Sequence, residues 1–250
     1  MRANLHRKVS MRVSRHQVCP KIDADFLAEY IVVAPELRHR LLLEESKDEG
    51  EQPYFRAADE TVCSYLLGIP KQERGVRMKI EVLKALGKFA QDKQVKIGDN
   101  IAALEAFLDH PKREFLDELE TFPGPREGTL RLGGVDIAVC PEIIAVDART
   151  NSFGFVKLRF SREPLAPEAA DHLTAMVQAY AQSCVAMFNG ALNLDLTCVV
   201  DVFGGTILRA SSPRAGRWSR VRAACREIAL KWAMLHDRAG HGVPVWRKGY

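Results

Sequence analysis

The run Phe122-Pro123-Gly124-Pro125 divides the chain into two kinds of pattern. Ahead of it, apolar residues recur at three- and four-residue intervals, the period of a helix. Beyond it they alternate, and β-branched residues gather, which is the period of a strand. The spacing predicts helices over 24–33 (capped by Asp23), 35–43, 55–67, 74–91 and 101–108 (capped by Asp99), and a further helix from Pro111 to about Glu120. The charged stretch 47–53 reads as an exposed loop. Past the Pro-Gly switch, Thr129–Leu132, Val135–Val146 and Phe153–Phe160 read as three consecutive antiparallel strands. A helix from Pro167 to about Phe188 follows, then a strand pair, 196–203 and 206–210, turning on Gly204-Gly205, and a last helix from Trp218 to Leu235. The expected class is α/β, with a central mixed sheet flanked by helices. The expected division is a helical N-terminal region, 1–98, ahead of an α/β core, 99–250.

At 250 residues and 28.0 kDa the chain is long enough to bury a sizeable core. No run of 18 apolar residues occurs, so no membrane span is expected. The basic N-terminus has no apolar segment behind it, so no secretory signal is expected. The six cysteines form no CxxC pair and sit mostly among apolar neighbours, as buried thiols of a reducing cytoplasm do. The seven histidines show no HxxxH spacing, so a structural zinc site is not indicated.

The net charge is only +4, yet it is unevenly placed. Residues 1–16 hold five Lys or Arg and no acid, and residues 205–250 hold ten against two acids, leaving an acidic middle. Basic ends suit an anionic partner, DNA or RNA among them, and equally suit solvated tails or an acidic protein partner. On the last helix Trp218, Val221, Cys225, Ile228 and Trp232 make one buried stripe. Arg217, Arg220, Arg222 and Arg226 flank it, so they are candidates for contact with nucleic-acid phosphates.

Chemistry is most concentrated in Gly133–Arg162. Asp136 and Glu142 have the same parity, so in one unbroken strand they share a face. If the next strand returns as a hairpin, Glu142 meets Lys157 near its open end. Carboxylates there suit Mg²⁺ or Mn²⁺, with Lys157 stabilising charge that develops on a phosphate. Taken singly, each of these residues is also an ordinary solvated side chain.

The order helix, three strands, helix, strand from about Ile101 to Ala210 resembles the core of the PD-(D/E)XK nuclease superfamily. Pro141-Glu142 is similar to its proline–acid element, and Phe155-Val156-Lys157 to its acid-x-lysine element. Gln178 and Tyr180 resemble the glutamine–tyrosine signature of the RecB-type branch, where Asp136 after two glycines also fits. Ala28-Glu29-Tyr30, Arg38-His39-Arg40 and Tyr54-Phe55-Arg56-Ala57-Ala58 are similar to a group of bacterial proteins of that superfamily. The resemblance implies a restriction-endonuclease-like core and an ancestry in metal-dependent phosphodiester cleavage. It implies Lys157 and Glu142 as catalytic residues, Asp136, Glu142 and Glu105 as metal ligands, and Gln178 as a residue near nucleic acid. Phe155 departs from the pattern, since it stands where the family places an acid and cannot bind a metal. Asp136, Asp147 or Glu105 are the candidates to replace that acid. The alternatives are an inactive structural or nucleic-acid-binding subunit of a bacterial complex, or a protein-interaction adaptor.

Overall fold

The computed structural model describes residues 19–45, 54–90, 93–125, 127–209 and 215–240. The basic segment 1–16, the expected 47–53 loop and residues 241–250 lie outside them. The chain is mixed α/β, as its patterning predicts. The larger sheet has six strands. Its main path runs β2 (Glu120–Pro123), β5 (Ile143–Asp147), β6 (Ser152–Arg159), β8 (Cys198–Asp201) and β9 (Thr206–Arg209), with β7 (Ala191–Leu192) also paired to β6. The β5–β6 pair is antiparallel, as a short polar turn dictates, and β6–β8 is parallel. A parallel neighbour needs a long crossover, and α7 (Pro167–Cys184) supplies it.

Every residue of β6 is buried, because helices cover both faces of the sheet. On one face Val156 and Leu158 pack with α3 (Arg56–Leu66), α4 (Glu73–Gly87) and α5 (Gln94–Leu108) through Ala58, Val62, Ile80 and Phe107. On the other, Phe153 and Phe155 pack with α1 (Ala24–Val32), α7 and α8 (Ala215–Gly240) through Leu27, Met176, Tyr180 and Cys225. Both cores thus draw on residues from either side of position 98. Two further α-helices, α2 (Pro35–Glu45) and α6 (Arg113–Glu118), complete the set of α-helices among the described residues. A second sheet, β1 (Lys21–Asp23), β4 (Val135–Ala138) and β3 (Thr129–Leu132), lies against α8. There the β3–β4 turn needs two glycines. Gly133 and Gly134 have φ of 60° and 86°, and a Cβ on Gly133 would lie 3.0 Å from the Cys225 Cβ.

Two local expectations change. The expected strand 135–146 is two strands in different sheets. Cys140 turns at φ 39°, its N–H and that of Val139 both reach the Gly128 carbonyl, and Pro141 offers no donor to continue a ladder. The parity shared by Asp136 and Glu142 therefore carries no shared face. Asp99 does not cap α5, which starts five residues earlier. Its carboxylate instead accepts from the Tyr54 hydroxyl at 2.7 Å and pairs with Arg162 at 2.8 Å.

Candidate functional site

The β5–β6 register sets Ile143 opposite Val156, so Glu142 arrives beside the backbone of Lys157 and Leu158. The Leu158 N–H donates to Glu142 Oε2 at 2.6 Å. Lys157 points from β6 into the layer beneath α1, its side chain 5% exposed, with Nζ 3.2 Å from Asp25 Oδ2. The hairpin thus brings together Glu142 and Lys157, and α1 adds Asp25, while the expected acids Asp136 and Glu105 lie elsewhere.

Asp25 reaches the site because of how α1 begins. Asp23 is the N-cap and accepts from the Asp25 N–H at 2.8 Å, which pins the first turn. β1 runs directly into that cap and pairs in parallel with β4. One residue pair further along β6, Arg159 lies 3.8 Å from Asp25, 3.2 Å from Glu29 and 3.4 Å from Asp201. Asp25 Oδ1 and Arg159 Nε are buried with no hydrogen-bond partner among the described residues. The face of β6 thus grades from Phe153 and Phe155 in the apolar core to Lys157 and Arg159 among acids.

Acids outnumber cations here, and the protonation balance follows. Burial pushes Asp23 up to about 7, against the pull of Lys157. Burial pushes Glu142 up to about 8, opposed by Lys157 and by the Leu158 N–H and reinforced by Asp59. Asp59 is itself raised by burial. Burial pulls Lys157 down, but Asp25, Asp23 and Glu142 together hold it well above its usual value. Lys157 is therefore a permanent cation, and part of the surrounding acid charge is quenched by protons.

The other expected residues lie apart from this cluster. Asp136 is in the smaller sheet, held by Arg131 at 2.7 and 3.1 Å and kept below the usual carboxylate range by that pairing. Glu105 stands on the outside of α5, 3.7 Å from Lys84. Asp147 is held low by the Thr150 hydroxyl and the Arg149 N–H at the hairpin turn. Phe155 is fully buried, with its ring 5.7 Å from that of Tyr180, and Gln178 is buried on α7. His172, which reads as an exposed histidine near the start of α7, is only 2% exposed, because its face of the helix turns toward α8. On α8, Arg217 is buried and paired with Asp171 at 3.0 Å, and Arg220 pairs with Glu168. Arg222 and Arg226 are exposed, with no acidic partner among the described residues.

The carboxylates around Lys157 are the hard oxygen donors that Mg²⁺ or Mn²⁺ takes. The ammonium of Lys157, however, stands among them as the counter-cation. Among the described residues no three His, Cys, Asp or Glu side chains are grouped so as to hold a metal ion. In this arrangement the residues do not fit the ion. What the cluster does is tie the β1–α1 segment to β6 by ion pairs. Asp23, Asp25 and Arg159 were missed as members. The one signal was the Asp-Ala-Asp start of a capped helix, together with the shared parity of Lys157 and Arg159. No protein-family model matches the chain, and comparison with curated proteins finds no match.

Proposed function

We propose that the chain is a nucleic-acid-binding protein of the cytoplasm, built on a restriction-endonuclease-like scaffold and no longer a nuclease. In this reading it serves as a binding or structural subunit of a bacterial complex. The observation that carries the loss of cleavage is the state of Lys157. It is buried and 3.2 Å from Asp25, so it neutralises carboxylates where a nuclease needs a metal beside an accessible lysine. Phe155, packed into the apolar core, supports the same reading. Binding is assigned to the outer face of α8, where Arg222 and Arg226, without an acidic partner among the described residues, offer guanidinium groups to phosphates. The absence of any helix long and apolar enough to cross a membrane, among the described residues, is compatible with this setting.

The test is incubation of the full chain with plasmid, single-stranded DNA and RNA, with and without Mg²⁺ or Mn²⁺. Expected are retarded complexes that weaken with salt, do not need metal, and leave the strands intact. Metal-dependent cleavage lost in Lys157→Ala or Glu142→Ala would return the protein to the phosphodiesterases. Failure to bind any nucleic acid at low salt would sink the reading in favour of a protein-interaction adaptor.

A further inference from the structure

The first turns of α7 and α8 face each other across a cavity of about 500 Å³, lined by Glu168, Asp171 and His172 from one helix and Gly216, Arg217 and Arg220 from the other. It belongs neither to the Lys157 cluster nor to the outer face of α8. Three independent features of it point to an anion.

The first is the helix ends. α7 spans 18 residues, starts on Pro167, and has Ala166 as its N-cap, which makes no side-chain capping bond. Its first-turn N–H groups therefore keep the partial positive charge of an uncapped end. α8, at 26 residues, begins at Ala215 on the opposite wall.

The second is His172. It is 2% exposed, it lines the cavity, and neither of its ring nitrogens has a hydrogen-bond partner among the described residues. Buried polar groups are nearly always partnered, so an orphaned ring at a cavity points to a group that meets one of its nitrogens. Burial, and then the guanidinium of Arg217, hold the ring below its usual value, so at neutral pH it is uncharged and carries one N–H donor.

The third is the pair of guanidinium groups. Arg217 is held by Asp171 and Arg220 by Glu168, so two donor forks stand at the cavity already steadied by α7. The same two carboxylates narrow the choice of anion. Hydrogen phosphate brings an O–H that a carboxylate can accept, whereas sulfate brings none and is repelled by both carboxylates.

We infer that this cavity is a binding site for a phosphate group, free or at the end of a nucleotide or strand, with His172 as an N–H donor and Arg217 and Arg220 as its charge partners. The inference stands independently of the nucleic-acid reading of α8. Phosphate bound there closes the gap between the two helix starts and accepts from one nitrogen of His172.

The experiment follows the melting temperature of the full chain in inorganic phosphate, against chloride and sulfate at matched ionic strength. Expected is a rise that saturates with phosphate concentration, exceeds any rise in sulfate, and disappears in His172→Leu and in Arg220→Ala. Arg220 is exposed, so that variant keeps the test open if His172→Leu folds poorly. The proposal is overturned if phosphate gives no saturating rise, or if sulfate and both variants behave as the wild type does in phosphate. A 5′-phosphorylated oligonucleotide that displaces phosphate, where its unphosphorylated twin does not, assigns the site to strand ends. Displacement by neither assigns it to free phosphate.

Discussion

Glu142 joins one property that is local in sequence with one that is not. Its meeting with Lys157 follows from a proline–acid pair, a polar turn and a lysine at hairpin distance, all local in sequence. Its raised proton affinity comes from burial, reinforced by Asp59 of α3, which no local pattern announces. The consequence is measurable. In the fold Glu142 holds its proton up to about pH 8, whereas the unfolded chain releases it around the ordinary value of 4.5. The folded state thus binds more protons between those limits, so its stability is full below the lower one and is lost as pH rises through the upper. Asp23, raised to about 7, acts with the same sign. Denaturant unfolding across this window is expected to show stability falling with pH, and falling less steeply in Glu142→Gln. An unchanged slope in that variant would remove Glu142 from the account. Lys157 was legible as a strand lysine, but its partner Asp25 was not. The two are joined only by a contact between the ends of distant elements.

At the scale of elements, the hairpin β5–β6, the crossover helix α7 and the pair β8–β9 were all legible, because each rests on periodicity and nearby turn residues. The division of 135–146 into β4 and β5 was not. It depends on a cysteine at positive φ, a conformation with no compositional signature outside glycine, asparagine and aspartate. Asp99 misled for a related reason, since its carboxylate serves Tyr54 and Arg162 rather than a helix start. Gly154 is a further position where the element dictates the residue. It lies mid-strand in β6, where a Cβ would press into the Leu196 backbone that crosses over it. Gly154→Ala is expected to destabilise the fold by about 1–3 kcal/mol, the usual cost of overpacking a well-filled core. Chemical denaturation measures it. A neutral result would mean that the 194–196 turn is free to shift.

For the whole molecule, the class and the layering follow from the change of period at Phe122–Pro125, while the docking of residues 21–32 into the C-terminal half does not. The basic ends seen in the sequence leave one described exposed basic feature, the outer face of α8. If that face binds nucleic acid, replacing Arg222 and Arg226 together by Ala removes two phosphate contacts. The slope of log affinity against log salt is then expected to fall by about 2, with little change between sequences. An unaltered slope would move the binding surface elsewhere. The β1–α1 segment has a different consequence, in time. Tyr30 donates to Glu227 across 197 positions, and Arg159 reaches back to Glu29 across 130. At about 5–20 residues per second, a growing chain leaves this segment waiting on the order of ten seconds for β6, and longer for α8. Its acids and its apolar face must stay unassociated meanwhile, so the first described strand to leave the ribosome is among the last to find its place.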